Sequence, residues 1–254
     1  MRLRPLAALV LACSLPTLAQ PEVRLASDDW CPFICASSQQ LVGGYLVDAS
    51  REILENAGYR QVPVFLPLNR AMLMTEQGAI HGVFAPSLDK RLKTSQPLAT
   101  SRACFYTLAD NNWQYRSRDS LKDISLSVID SYGYDGGSFD QFLAEARMHP
   151  RAGIQFRTGD KAGESSVRML LARRLPVVLE HEAVMSYLLK AIGPDSGKRV
   201  RNAGCLDNAL PLVIGIGKSI PDADTLLNVI NSGIARLHKS GRQRQLMQQY
   251  GLLP

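Results

Sequence analysis

The chain has 254 residues, of which 46% are hydrophobic and 20% charged, and its mean hydropathy is −0.06. That composition suits one large or two small globular domains and excludes collagen and intrinsic disorder. The net charge of +6 includes Arg2 and Arg4, so without residues 1–19 it is +4, with 27 basic residues (29 less two) against 23 acidic. The basic residues form no long cluster, which leaves nucleic-acid binding without support.

Met1 to Pro5 carries both of those arginines, Leu6 to Leu15 is apolar, and Thr17-Leu18-Ala19 ends in a small residue. This is the pattern of a cleaved secretory signal peptide over residues 1–19, and the apolar stretch falls short of the roughly 20 residues that a spanning helix needs. Val10-Leu11-Ala12-Cys13 partly matches a lipoprotein box, the alternative in which Cys13 carries a lipid anchor; the large Leu11 argues against it. The expected location is the periplasm.

Glu22 to Ser27 (EVRLAS) alternates as a half-buried strand does, and Asp28-Asp29-Trp30-Cys31-Pro32 breaks it into a loop. Tyr45 to Ala57 sets Leu46, Val47, Ile53, Leu54 and Ala57 largely on one helical face, with Gly58 as the stop. A strand over Gln61–Leu66, a helix over Arg70–Gln77 and a strand over Ile80–Phe84 complete a βαβαβ order, the sign of a parallel sheet flanked by helices. The pattern restarts with strand Ile124–Ile129, helix Phe139–Arg147, a strand around Ile154–Phe156, helix Ser166–Ala172 and strand Val177–Glu180. Ala103–Leu108 and Leu210–Ile216 are strand-like and placed to carry the chain out to the second unit and back. Asp224 to Tyr250 reads as helical, with Gly233 and Gly241 as weak points, and returns most simply to the first unit. Two α/β lobes joined by two crossover strands form a clamshell whose crevice gathers the loops at the carboxyl ends of the strands. The expected division is 20–106 plus 209–254 for lobe 1 and 107–208 for lobe 2.

Four cysteines remain after signal removal, an even number for an oxidising compartment, so two disulfides are expected. Three pairings exist; the short spacing of Cys31 and Cys35 favours a local bridge and leaves Cys104 for Cys205. Neither of the latter has a neighbour at metal-ligand spacing, so no metal is expected. There is no Gly-x-Ser-x-Gly elbow, Walker loop or His-Glu-x-x-His helix, and the histidines at 81, 149, 181 and 238 are dispersed. These features point away from an enzyme and call for no cofactor.

Several stretches run in an informative order: Trp30-Cys31-Pro32-Phe33, Gly44-Tyr45-Leu46-Val47-Asp48, Pro67-Leu68-Asn69-Arg70-Ala71, Asp89-Lys90-Arg91, Ser95-Gln96-Pro97, Met169 to Leu189, and Leu237-His238-Lys239-Ser240-Gly241 before Gln249-Tyr250-Gly251. In order and spacing the mature chain resembles the periplasmic solute-binding proteins related to the amino-acid-binding components of ABC transporters (extracellular solute-binding family 3), and a cysteine-carrying branch of them. The resemblance implies a type II periplasmic-binding-protein clamshell, acting as a monomer, that captures a small polar, carboxylated, amino-acid-like solute for a permease or a membrane sensor.

It further implies that Arg91 grips a carboxylate and that Trp30 and Phe33 wall the ligand. Tyr45 and Arg70 would face the cleft, and the second lobe would contribute Glu180 and His181. A guanidinium suits the first role because its planar fork donates two parallel hydrogen bonds. Two departures stand out. Leu88 replaces a usual threonine, and His181 replaces an aspartate that would pair with an ammonium. Some relatives are dehydratases acting on cyclic carboxylic acids, and in that alternative Arg91, Glu180 and His181 would supply carboxylate binding and general acid–base groups.

Overall fold

A computed structural model of the chain describes residues 20–87, 90–149 and 153–252. The expected signal peptide with Cys13, and Leu88, therefore lie outside the described residues. In chain order the elements are β1 Glu22–Ser27, β2 Cys35–Ser37, β3 Gln40–Gly43, α1 Tyr45–Glu55, β4 Arg60–Phe65, α2 Leu68–Glu76, β5 Gly82–Phe84, β6 Leu92–Thr94, β7 Ala99–Ser101 and β8 Ala103–Leu108. They continue with β9 Leu126–Ile129, α3 Ser138–Met148, β10 Ile154–Arg157, α4 Ala162–Leu171, β11 Val177–His181, α5 Glu182–Ile192, α6 Ser196–Arg199, β12 Val200–Cys205, β13 Leu210–Leu212, β14 Ile214–Gly217, α7 Ala223–Lys239 and α8 Arg242–Gln249.

Two five-stranded sheets carry the fold, in the orders β4-β1-β5-β14-β6 and β10-β9-β11-β8-β12. In each, the first three strands are parallel and the last two join antiparallel. The βαβαβ periodicity is thus realised in both lobes, with the first strand of each unit flanked on both sides. Apolar clusters pack on sheet faces in each lobe: Leu25, Ile53, Ile214 and Ile230 in one and Val83, Ala71 and Ile80 in another for lobe 1, and two clusters centred on Phe105 and on Val167 for lobe 2.

The chain passes between lobes on a short ribbon in which β7 pairs with β13, Ser101 opposite Leu210. This corrects the expected division, because a boundary after residue 106 cuts through β8. All six residues of β8 are buried, and it lies inside the second sheet with β11 and β12 as partners. Ala103–Leu108 is therefore a central strand of lobe 2 and not a crossover. The reason is physical: the backbone groups of a strand buried along its whole length need partners on both edges, which β11 and β12 supply.

The C-terminal helical segment divides at Gly241, whose φ of +74° falls in the left-handed region. α7 packs on α1, where Gly233 is required: a Cβ there would lie 2.3 Å from Ile53 Cγ2. The Tyr250 hydroxyl binds the Asp48 carboxylate and accepts the Gly44 N–H at 3.1 Å, fixing the chain end to lobe 1.

Both disulfides are present, Cys31–Cys35 and Cys104–Cys205. The second joins paired residues of β8 and β12 just beyond the crossover, so it closes nearly all of lobe 2 into a ring of 101-residue separation. A Cys104→Ser/Cys205→Ser variant should lose about 2–5 kcal/mol of unfolding free energy, close to the loop-entropy value for a ring of this size; denaturant titration beside the unmodified protein measures it.

Candidate functional site

The carboxyl ends of the parallel strands from both sheets converge at one interlobe seam, as open α/β sheets dictate. β1 delivers Asp28, Asp29 and Trp30, β9 delivers Ser131, Tyr132 and Gly133, β10 leads to Gly159, Asp160 and Lys161, and β11 ends in Glu180 and His181.

The loop after β1 is held rigidly. Trp30 and Ile34 form an isolated antiparallel bridge, and the Cys31–Cys35 disulfide closes the loop around it. The otherwise unpaired first N–H groups of α1 are donated to this loop, Tyr45 N–H to the Pro32 carbonyl at 3.0 Å and Leu46 N–H to the Phe33 carbonyl at 2.9 Å. So close an approach needs glycine at position 44, where φ is +108° and a Cβ would meet the Phe33 oxygen at 2.6 Å. Trp30 is held over the seam by that arrangement, with the Phe33 ring behind it at 4.8 Å.

From lobe 2, the His181 ring meets Trp30 edge to face at 5.0 Å and stacks on Tyr134 at 5.7 Å. It is fully buried. Its Nδ1 pairs with the Ser101 hydroxyl at 2.9 Å and its Nε2 with the Gly133 carbonyl at 3.1 Å. Since a carbonyl only accepts, Nε2 carries the proton and Nδ1 accepts from Ser101. Burial pulls the imidazole down to about 4, so it is neutral at physiological pH.

Glu180 is also buried, at 2% exposure. One of its oxygens, Oε1, accepts the His181 amide at 2.8 Å. Burial pushes the carboxyl up to about 7, opposed by that amide and by the neighbouring Trp30 indole. The indole N–H, itself buried, closes no hydrogen bond. Asp28 is likewise pushed up to about 6 by burial, against the stabilising approach of the Tyr132 hydroxyl.

Tyr132 lines three cavities along the seam. A pocket of about 370 Å³ is bounded by Asp29, Trp30, Tyr132, Gly163, Glu180 and Tyr187. A more open groove of about 580 Å³ runs between Arg91 and Asn69 on one side and Arg147 and Asp140 on the other. Between them, a slot of only about 20 Å³ separates Asp28, Trp30 and Leu68 from Tyr132. The Tyr132 ring therefore partitions the crevice, packed against apolar clusters of both lobes.

The structure brings Trp30, Glu180 and His181 together, with Phe33 behind the indole. It does not bring the remaining expected residues to the same point. Tyr45 is fully buried in the lobe 1 core, its hydroxyl donating to the Leu98 carbonyl at 2.7 Å. Arg70 is exposed in the first turn of α2. Arg91 lines the groove, separated from Trp30 by Tyr132, and its guanidinium pairs with Glu76 at 2.8 Å. Across that groove, Arg147 pairs with Asp130 and sits over the Phe156 ring at 5.2 Å. The N-terminus of α3 also faces the groove, but Asp135 takes the N–H groups of Gly137, Phe139 and Asp140 at 2.7, 3.0 and 3.1 Å. The helix supplies its own anion there, and a solute carboxylate would have to displace it.

His181 is fully buried and both its ring nitrogens are hydrogen-bonded, so in this arrangement of the lobes it orders the seam. Tyr132 and three of the acids around the 370 Å³ pocket, Asp29, Asp160 and Glu164, escape sequence reading. Their one signal is the Tyr132-Gly133-Tyr134 cluster immediately after an apolar strand, the second-lobe counterpart of the loop that bears Trp30.

No protein-family model matches the chain, and no curated protein matches it in sequence. Its fold is that of the two-lobed periplasmic binding proteins. An ancestral arginine-binding protein bound to arginine superposes with a TM-score of 0.72 at 17% identity, over 90% of this chain and 97% of that one. A histidine kinase sensor domain with similarity to periplasmic binding proteins gives 0.73 at 14% identity, over 90% and 95%. An amino acid ABC transporter substrate-binding protein from Streptococcus pneumoniae bound to L-arginine gives 0.70 at 13% identity, over 90% and 94%.

The opposite shifts of Glu180 and His181 have opposite consequences for stability. His181 titrates at about 4 when folded and near 6.5 when unfolded, so its contribution is complete above about pH 6.5 and is lost as pH falls toward 4. Glu180 titrates at about 7 folded against 4.5 unfolded, so its ionisation weakens the fold progressively as pH rises from 4.5 to 7. Replacing Glu180 by Gln removes the second effect alone. The stability of Glu180→Gln relative to wild type should be level below pH 4.5, climb between pH 4.5 and 7 by on the order of 2–3 kcal/mol, and level off above. Urea midpoints across that range test this, and a difference that does not vary with pH would contradict it.

Proposed function

We propose that the protein captures a small polar solute between its lobes and presents the closed form to a membrane partner. The observation that carries this reading is the 370 Å³ pocket, walled by Trp30 and Tyr132 from opposite lobes, at the point where strand ends of both sheets meet. Its volume falls in the usual range for small-molecule sites, and its lining combines aromatic faces with a few placed polar groups. Binding there touches both lobes, so an occupant stabilises the closed arrangement by its differential contacts.

Similarity of fold to an arginine-bound binding protein and to an ABC transporter substrate-binding protein supports solute capture for import. Similarity to a histidine kinase sensor domain supports the same closure serving a sensor. The secretory N-terminus read from the sequence would place either role in the periplasm, and among the described residues no helix is long and apolar enough to cross a membrane. An amino-acid-like solute that carries a carboxylate stays within the proposal where that carboxylate reaches past the Tyr132 partition to Arg91 in the neighbouring groove. Arg91 would serve that carboxylate by exchanging Glu76 for it.

A thermal-shift screen of amino acids, organic acids, amines and short peptides tests the reading. A solute at one hundred times its dissociation constant should add about 2.7 kcal/mol to stability, visible as a rise in Tm. Trp30→Ala should abolish the rise for the same solute, because it removes the lobe 1 wall. No shift with any compound class would leave solute capture without support.

A further inference from the structure

We propose that the 370 Å³ pocket selects a small organic cation, an amine or guanidinium, and holds it by its positive charge, with no carboxylate required of the solute. This rests on the solute-capture reading and names the class of solute. Among the charged residues lining the pocket, Asp29 comes from lobe 1 and Asp160, Glu164 and Glu180 from lobe 2, against Lys161 as the one base. Glu164 is neutralised from outside by Arg168 at 2.7 Å. Three carboxylates then face one ammonium.

Two of those acids have unused capacity. Asp29 Oδ1 accepts the Ala36 N–H at 2.9 Å, which leaves Oδ2 available. Glu180 is the more telling group, because a buried carboxylate normally has its lone pairs satisfied. Its Oε1 accepts only the adjoining His181 amide, and Oε2 has no hydrogen-bond partner among the described residues. That oxygen faces Gly163, where a Cβ would stand 3.5 Å away; the missing side chain keeps the approach open. Beside it the Trp30 indole N–H, 7% exposed as a residue, also lacks a partner. A cation donating to Oε2 supplies the missing bond and holds Glu180 ionised. The ionised carboxylate is then the acceptor that the indole lacks.

Asp29 of lobe 1 also stands across the pocket from charged groups of lobe 2. Burial raises the Asp29 carboxyl, and the charge of Glu164 on the opposite lobe raises it further, with Lys161 in opposition. A cation between the lobes is attracted by Asp29 of one and Glu180 of the other. The Trp30 and Tyr132 rings add faces on which a cation gains a further favourable interaction. A carboxylate in the same place would meet three like charges and could pair with Lys161 alone.

Isothermal titration of the purified protein with agmatine, 1,4-diaminobutane, L-arginine, L-glutamate and succinate tests the proposal. Agmatine, a guanidinium with no carboxylate, should bind at least as tightly as L-arginine, and neither dicarboxylate should bind. Glu180→Gln should weaken agmatine at least about thirtyfold. Should that variant fail to fold, Asp29→Asn, at an exposed position, should weaken it several-fold. Lys161→Ala should tighten it. Binding of L-arginine without agmatine, or of the dicarboxylates alone, would overturn the cation assignment while leaving solute capture intact. Agmatine affinity unchanged in both Glu180→Gln and Asp29→Asn would also overturn it. No binding by any of the five, with no hit in the broader screen, would remove both readings together.

Discussion

A neutral imidazole with no solvent contact joins the pieces of this molecule that make up the seam. His181 donates from Nε2 to the Gly133 carbonyl and accepts at Nδ1 from the Ser101 hydroxyl, which links the end of β11, the loop after β9 and the crossover ribbon. Those segments also serve elsewhere, since Ser101 pairs with Leu210 where the chain passes between lobes and Gly133 adjoins Tyr132. The same ring is the edge-on neighbour of Trp30. Burial lowers the proton affinity of the ring against the pull of its two hydrogen bonds, and the neutral form then accepts at Nδ1 from Ser101. Loss of that hydrogen-bond pair would leave a buried carbonyl and a buried hydroxyl unsatisfied at once, each costing about 1–3 kcal/mol.

Burying an acid beside that imidazole adds a second constraint. Glu180 and His181 are adjacent in sequence and both inaccessible, yet they form no ion pair: the carboxylate turns back to the His181 amide while the ring turns to Ser101 and Gly133. Desolvation disfavours the charged form of both, raising one and lowering the other. The seam therefore holds two groups near neutrality by burial and not by mutual neutralisation. Such an arrangement keeps a carboxylate ready for an incoming positive group, whereas a closed ion pair would already have its partner.

Periodicity made the two βαβ units readable, because apolar alternation and helical faces are local properties. β1 spans the same residues in sequence and structure, Glu22–Ser27. β8 was misplaced because whether an apolar strand lies inside a sheet or between lobes depends on partners distant in the chain, here β11 and β12. The site divides in the same way. Trp30, Glu180 and His181 are legible from their position at strand ends together with the family resemblance. Tyr132 is not, since its importance comes from lining three cavities that only the folded chain creates. Arg91 illustrates the converse. Its place in the sequence matches an anion anchor, but in space its guanidinium pairs with Glu76 of α2. Tyr45 follows the same logic: the requirement to satisfy a buried hydroxyl directs it to the Leu98 carbonyl and into the core.

The covalent plan bears on how the lobes can move. Cys104 and Cys205 are joined directly beyond the two crossings, at Arg102 and at the segment following Cys205, so the base of lobe 2 cannot splay as the lobes part. In lobe 1 the Cys31–Cys35 loop is locked onto the start of α1. Both disulfides therefore stiffen the bodies and leave the β7–β13 ribbon as the place where φ and ψ can change. A motion confined to that ribbon carries Tyr132 and Glu180 together against a fixed Trp30. The ring contacts of Trp30 with Tyr132 and His181 are the ones that span the seam and that such a hinge acts on.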